Sequence, residues 1–226
     1  MPNHTIPLRT GVLFDLSHTL ARPWLEHSEY PWEILPDIPA IIREIGRTLD
    51  PARYHAPAEG VWIAKTAVVA PTASIAPPAI IGENTEVRHG AFIRGGALVG
   101  DDCVVGNSTE LKNCILFDGV QVPHYNYVGD SILGHRAHMG AGAIASNLRS
   151  DRKNVVIHGD VDLPTGLYKV GAMLGDGAEI GCHAVLCPGA VVGRFAVVYP
   201  LARVRGVIPA HTIYKGSGVP VPKEEA

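Results

Sequence analysis

A six-residue spacing of large aliphatic side chains runs through the middle of the chain and limits what it can fold into. The ten positions at strict intervals of six are Ile63, Val69, Ile75, Ile81, Val87, Ile93, Val99, Val105, Leu111 and Phe117. The same spacing returns near the C-terminus at Leu174, Ile180, Leu186, Val192, Val198 and Val204. Because six is a multiple of the two-residue period of a β-strand, each hexad can form a short strand followed by a corner.

Three such hexads close one triangular coil of about eighteen residues, and stacked coils form a parallel β-helix. An amphipathic α-helix would need apolar spacings of three and four, which this part of the chain lacks. The sequence therefore predicts an all-β solenoid over residues 56–215.

The ends of the chain lack the repeat. Residues 1–55 are predicted to form a helical cap over the first coil, with Asp37 capping a helix over Pro39–Leu49. A linker to another domain remains the alternative for this segment. Residues 216–226 are predicted to be a mobile tail.

Composition excludes several partners. The formal charge is −3, from 19 basic and 22 acidic residues, and no basic run could neutralise a row of phosphates, so we expect no nucleic-acid partner. No stretch approaches the roughly 20 apolar residues of a membrane helix, so no membrane partner is expected. The four cysteines form no CxxC pair and no secretory signal is evident. These features favour a cytoplasmic protein with reduced thiols.

Two interruptions of the repeat are the places where functional residues are expected, because the rest of a solenoid surface is monotonous. One is Gln121–Asp130, with the sequence QVPHYNYVGD, and the other is Ala145–Asn154, with the sequence ASNLRSDRKN. Polar residues also intrude just before the first interruption, at Arg94, Glu110 and Lys112.

The segment Gly106–Asn147, GNSTELKNCILFDGVQVPHYNYVGDSILGHRAHMGAGAIASN, resembles the acetyltransferase domain of bifunctional UDP-N-acetylglucosamine pyrophosphorylase/glucosamine-1-phosphate acetyltransferases. That family carries GNFVE-x-K, GHL-x-Y-x-GD and N-x-GAG-x-x-x-x-N at nearly the same spacings. The resemblance implies a left-handed coil, although parallel crossovers are generally right-handed. It also implies acetyl-CoA as co-substrate, an amino-sugar 1-phosphate as acceptor and a homotrimer.

The resemblance further implies roles for individual residues. His124 falls on the catalytic general base. The implied substrate contacts are Arg94, Glu110, Lys112, Tyr127, His138 and Lys153, and the implied cofactor contacts are Ala141, Asn147 and Cys182. The family has asparagine where His138 stands and serine where Cys182 stands. The chemistry is consistent, since acetylation of an amine needs a base near neutral pH and cations orient a phosphate.

Two other functions remain open. The chain has no glycine-rich nucleotide loop before residue 60, so we do not expect it to transfer a uridylyl group alone. It could therefore be a non-catalytic oligomerising or regulatory partner of a separate sugar-1-phosphate nucleotidylyltransferase. The HxxH pair of His135 and His138 would suit a zinc carbonic anhydrase, but it offers too few ligands, and no metal site is predicted.

Overall fold

The computed structural model describes residues 8–224, which form a parallel β-helix of about nine turns preceded by short helices. The predicted left-handed all-β solenoid is confirmed. The helices are α1 (Thr10–Leu13), α2 (Arg22–Leu25) and α3 (Ile38–Thr48), with 3₁₀ turns at Leu16–His18 and Pro31–Asp37.

The strands of the described chain are short, as a corner every few residues requires. The first fourteen are β1 (Tyr54–Ala58), β2 (Val61–Ala64), β3 (Val68–Val69), β4 (Ser74–Ile75), β5 (Ala79–Ile81), β6 (Glu86–Val87), β7 (Phe92–Ile93), β8 (Ala97–Val99), β9 (Val104–Asn107), β10 (Glu110–Leu116), β11 (Gln121–His124), β12 (Tyr127–Leu133), β13 (His138–Met139) and β14 (Ile144–Ala145). The others are β15 (Val156–Ile157), β16 (Leu163–Pro164), β17 (Ala172–Leu174), β18 (Glu179–Ile180), β19 (Val185–Leu186), β20 (Ala190–Val192), β21 (Val197–Val198), β22 (Arg203–Val204), β23 (Val207–Ile208), β24 (Thr212–Tyr214) and β25 (Val221–Pro222).

The strands build three faces of a prism. The first face contains β2, β5, β8, β17, β20, β23 and the second halves of β10 and β12. The second face contains β3, β6, β9, β11, β13, β18, β21 and β24. The third face contains β4, β7, β14, β19, β22 and the first halves of β10 and β12. The repeated aliphatic residues fill the interior, where most are fully buried.

The repeat shortens by one residue in two successive coils. Leu111 pairs with Ile93 at an offset of eighteen residues, but Leu116 pairs with Val99 at an offset of seventeen. Phe117, which the six-residue spacing assigns to the strand interior, therefore lies just past the strand, and its ring packs 5.1 Å from that of Phe14. The prediction of one unbroken register to Phe117 is wrong for that residue.

The helical segment, residues 8–49, lies along the first face, and we call it the strap. It runs against the direction of the coils: the Leu13 carbonyl accepts from the Asp176 N–H, the Leu35 carbonyl from Asn113 Nδ2, and Gly46 packs on Trp62. The strap covers a column of outward aliphatic residues that are fully or almost fully buried: Ile80, Leu98, Ile115, Ile132, Met173 and Val191.

Two expectations about the helical segment need correction. Helix α3 spans Ile38–Thr48, and the Asp37 side chain makes no capping hydrogen bond. The helix also lies on a flank, and it is β1 that pairs antiparallel with β2 at the edge of the first coil. The domain division at residues 55 and 216 stays a prediction, although residue 55 falls inside β1 and β25 pairs with β24. Residues 225–226 of the predicted tail lie outside the described residues.

Candidate functional site

A buried carboxylate organises the corner between the third and first faces, which we call the Asp130 corner. Asp130 accepts from Lys112 Nζ at 3.0 and 3.2 Å and from Asn113 Nδ2 at 2.9 Å. Asn147 Nδ2 donates both to Asp130 Oδ2 and, at 3.2 Å, to the Tyr127 hydroxyl. Burial raises the pKa of Tyr127. Four residues from three coils thus form one connected polar network around Asp130.

The two shortened coils explain why the network forms at this corner. Asn113 and Asp130 occupy the shortened turns with φ of 50° and 48°, a left-handed conformation that Asn and Asp tolerate better than most residues. Gly129 leaves room beside them, because a Cβ there would lie 2.5 Å from the Tyr127 hydroxyl oxygen. The local backbone therefore brings the polar side chains together.

Arg94 and Glu110 form an ion pair beside the network, since Glu110 is the strand-pairing partner of Tyr127. Arg94 Nη1 donates to Glu110 Oε1 at 2.7 Å, and this hydrogen bond raises the pKa of the arginine. Two of the three cations that the resemblance implies as substrate contacts therefore already have a carboxylate partner: Glu110 for Arg94 and Asp130 for Lys112.

His124 lies at the corner between the second and third faces, which we call the His124 corner. Its side chain is exposed, and the imidazole makes no hydrogen bond or ion pair within residues 8–224. Its backbone is fixed: the His124 N–H donates to Asn126 Oδ1 at 3.1 Å, and its carbonyl accepts from the Gly142 N–H. Asn126 is buried and donates to the carbonyls of Gly140 and Ala143 at 2.8 and 3.2 Å.

Ala141 and Cys182 lie at the His124 corner in the next two coils. The Gly142 N–H binds the His124 carbonyl, and the His183 N–H binds that of Ala141. Because those hydrogen bonds join successive coils, two of the three predicted cofactor contacts share a corner with the predicted base. The third, Asn147, belongs to the Asp130 corner.

Two predicted substrate contacts stand apart from both corners. His138 lies on the second face, where its Nδ1 is 2.8 Å from Glu179 Oε2. Lys153 is exposed in the loop inserted after β14, and its ammonium makes no ion pair within the described chain. The HxxH pair is also divided, because the His135 ring stacks on His18 at 3.6 Å and bonds the Asp118 carbonyl.

Sequence reasoning missed Asp130, Asn113 and Asn126 as parts of these corners. Asp130 closes the quoted interruption QVPHYNYVGD, and Asn126 stands where the repeat otherwise has a small residue. A polar residue at the repeat position that usually holds a small buried residue was therefore the feature that could have indicated Asn126.

Among residues 8–224, no three His, Cys, Asp or Glu side chains group so as to hold a metal ion. No helix in the same range has the length and apolar character to span a bilayer.

Known proteins resemble the central coils. The family model of the GMPPB C-terminal domain matches residues 86–168. A bifunctional sugar-1-phosphate nucleotidylyltransferase/acetyltransferase of Sulfurisphaera tokodaii is 34% identical over 94 residues, covering 41% of this chain and 23% of that protein. A bifunctional protein GlmU of Methanococcus maripaludis is 35% identical over 92 residues, covering 41% of this chain and 22% of its own length.

Among solved structures, the acetyltransferase domain of PglB from Neisseria gonorrhoeae in complex with acetyl coenzyme A is 17% identical, with a TM-score of 0.31. The match covers 80% of this chain and 63% of that one. The chain spans less than a quarter of the length of the two curated relatives it matches. The chain is a left-handed parallel β-helix, and its central coils are similar in sequence to GlmU-type bifunctional proteins.

Proposed function

We propose that the chain is an acetyl-CoA-dependent N-acetyltransferase acting on an amino-sugar 1-phosphate of the glucosamine-1-phosphate type. The observation that carries this proposal is the Asp130 corner, which lies within the residues that the GMPPB C-terminal domain model matches. Burying a charge costs free energy even when it is paired, and apolar packing would stabilise a solenoid as well. An ordered ionic network that reaches the Tyr127 hydroxyl through Asn147 therefore favours a binding role.

His124 is the proposed general base. Its imidazole is exposed, without hydrogen bonds in the described chain, and held on a backbone that Asn126 fixes. Histidine as a residue type titrates near neutral pH, so it can accept the proton that the acceptor amine loses. Acetyl-CoA, when bound, supplies an activated thioester. Tyr127 begins the third face three residues after His124, so an acceptor bound at Tyr127 would lie beside the proposed base.

The acceptor phosphate is proposed to bind at Arg94 and Lys112 although both are paired. A guanidinium has five N–H donors, and Glu110 takes one of those of Arg94. Asp130 occupies one side of the Lys112 ammonium, and the lysine side chain is 26% exposed. A substrate oxygen can therefore reach the ammonium only from the solvent side. His138 and Lys153 remain proposed substrate contacts. They could contact the acceptor only if it extends to them, if the loop moves, or if a neighbouring subunit supplies them.

A homotrimer is part of the proposal. The strap covers the first face, so subunits are expected to meet through the third face and the His124 corner. These carry exposed apolar side chains at Phe92, Tyr125, Ile144, Val185 and Leu201, with exposed fractions of 43, 65, 38, 38 and 79%. Clusters of exposed apolar residues often mark oligomer interfaces. All four cysteines are free, as we expect of a cytoplasmic protein.

Steady-state kinetics of single variants tests the proposal. His124→Ala is expected to lower turnover about 10²- to 10⁴-fold while acetyl-CoA affinity stays unchanged. His89→Ala is the control: it removes an imidazole of the same prism whose partner is the Thr72 hydroxyl. Unchanged turnover in His124→Ala would refute the base assignment.

The acceptor is tested with one amino sugar, with and without its 1-phosphate. Arg94→Ala and Lys112→Ala should raise KM about ten- to a hundredfold for the phosphorylated sugar and much less for the other. Equal effects on both sugars would argue against a sugar-phosphate acceptor.

A non-catalytic partner of a separate sugar-1-phosphate nucleotidylyltransferase is the second candidate. One observation favours it: carboxylates of the chain itself already neutralise Arg94 and Lys112. Titration calorimetry with acetyl-CoA separates the two, because the second candidate has no need to bind it.

A further inference from the structure

A groove opens between helix α3 and the turn that joins β1 to β2, at the start of the solenoid, and we call it the α3 groove. It has a volume of about 450 Å³, which lies within the range of small-molecule sites. Strand β2 lies four strands from β12 in the sheet, so the groove is about 19 Å from the Asp130 corner and separate from it. The lining residues are Arg43, Arg47, Glu59, Gly60, Trp62 and Pro77.

Trp62 gives the α3 groove an aromatic wall. Its indole packs on the backbone of α3, because a Cβ at Gly46 would lie 2.5 Å from three carbons of the ring. Trp62 is only partly buried, and it borders the groove. The close contact with Gly46 therefore holds an aromatic surface in a fixed position beside the groove.

Two arginines form the helical wall of the groove. Arg43 and Arg47 are exposed and about one turn apart on α3, with Cα atoms about 6 Å from each other. Seven arginines pair with a carboxylate in the described chain, but these two do not. Arg43 Nη1 donates to the Pro39 carbonyl at 3.0 Å, and the Arg47 guanidinium makes no hydrogen bond within residues 8–224. Both guanidiniums thus keep donors for an anion.

The pair of arginines does not serve the stability of α3 itself. Like charges four residues apart on a helix destabilise it by a few tenths of a kcal/mol, or about that order. Glu59 borders the same groove, and its carboxylate has no ion-pair partner within the described residues. The groove therefore combines an aromatic surface, two cations without carboxylate partners and one free hydrogen-bond acceptor.

We propose that the α3 groove binds a nucleoside diphosphate, with the base against Trp62 and the phosphates at Arg43 and Arg47. Guanidiniums recognise phosphates through paired hydrogen bonds, and bases stack on aromatic side chains. The Glu59 carboxylate is positioned to accept from ribose hydroxyls. A simple anion would use the arginines alone, whereas a nucleotide uses all three kinds of group. This second ligand site goes beyond the proposed function and does not depend on it.

Titration calorimetry on the full chain tests the site with UDP and with inorganic pyrophosphate, which lacks the base. Arg43→Gln and Arg47→Gln should each raise the Kd for UDP about ten- to a hundredfold, because a hydrogen bond to a charged group is lost. Trp62→Leu should raise the Kd for UDP about five- to a hundredfold through lost stacking and leave the Kd for pyrophosphate unchanged. Arg22→Gln is the matched control, since it removes an exposed arginine of another strap helix outside the groove.

Four results would overturn the site: no binding of UDP, an unchanged Kd in both arginine variants, an equal loss in Arg22→Gln, or an equal effect of Trp62→Leu on UDP and pyrophosphate. Loss of UDP binding in Arg94→Ala or in saturating CoA would also overturn it, by assigning the nucleotide to the proposed acetyl-transfer site. Thermal unfolding of each variant shows whether it is folded.

If Trp62→Leu does not fold, the two arginine variants and the competition with CoA still decide. The proposed function is judged separately, by acetyl transfer to an amino sugar, so either proposal can fail while the other stands.

Discussion

Replacing Asp130 by asparagine should destabilise the fold by about 2–3 kcal/mol. The change removes the charge that faces Lys112 and replaces one acceptor oxygen by an NH₂ group, which meets the NH₂ donors of Asn113 or Asn147. Breaking a buried ion pair from one side typically costs about 3–5 kcal/mol. We place the cost below that range because the Lys112 side chain is 26% exposed and water can approach its ammonium.

Thermal unfolding followed by circular dichroism measures the effect. For a chain of this length, 1 kcal/mol corresponds to about 2–4 °C, so the Tm should fall by roughly 4–12 °C. Asp102→Asn is the control: Asp102 has a similar φ of 55°, but its side chain is exposed and its carboxylate accepts from Asn84 at 3.1 Å. Lys112→Met combined with Asp130→Asn should cost less than the sum of the single changes. Strict additivity, or an unchanged Tm in Asp130→Asn, would refute the reasoning.

Three further predictions concern packing, pH and thiol reactivity. Gly46→Ala should lower the Tm, since its Cβ would lie 2.5 Å from the Trp62 indole, whereas Gly11→Ala, with no atom within 4 Å, should leave it unchanged or raise it. Burial raises the pKa of Asp101 above its ordinary 3.8, so its ionised form destabilises the fold. Asp101→Asn should therefore raise the Tm at pH 7, and this advantage should shrink as the pH falls through the raised pKa; an advantage that grows on acidification would contradict it. A thiol reagent should modify Cys182 in the native protein and spare the two buried cysteines whose pKa burial raises to about 12, as mass spectrometry of labelled peptides would show.

The six-residue pattern was sufficient to predict the solenoid because every hexad repeats the same local choice of strand and corner. It was insufficient at the shortened coils, since Leu116 and Phe117 are both large and apolar and either could continue the pattern. The missing residue shows only in the backbone, at Asn113 with its left-handed φ. A one-residue step between two apolar neighbours leaves no trace in hydrophobicity alone.

The position of the strap on the first face was also not predicted, although the sequence of that face contains a pattern that indicates a cover. Strands of the first face are apolar at all three positions, as in Ala79–Ile81, Ala97–Val99 and Ala190–Val192. Strands buried on both sides read as continuous apolar runs. This pattern indicates that something covers the first face, but only the folded chain shows that the cover is its own N-terminal segment.

Site residues could be predicted from the sequence where the spacing of motifs identified them. They could not be predicted where their role depends on burial of the side chain. The resemblance identified Lys112, Tyr127 and Asn147 as site residues, and in the structure their side chains belong to one polar network. The resemblance did not identify Asp130, whose carboxylate connects the network. A carboxylate inside an interruption of the repeat is typical of a solvated loop residue. Tertiary context determines its burial: the shortened turn places Asp130 next to donors of the two neighbouring coils, Lys112 and Asn113 in one and Asn147 in the other.

The shortened coils thus link the irregular part of the fold to its chemistry. In an ordinary coil, three residues separate the third face from the first, as Arg94, Gly95 and Gly96 do between Ile93 and Ala97. In β10 and β12 only two do, so each strand runs on from one face to the next as a single seven-residue element. That continuity pairs Lys112 with Gly129, the residue before Asp130, and the Lys112 ammonium reaches the Asp130 carboxylate from one coil away. A solenoid of uniform coils would present the same side chains on a wider turn, and the polar network would have no fixed centre.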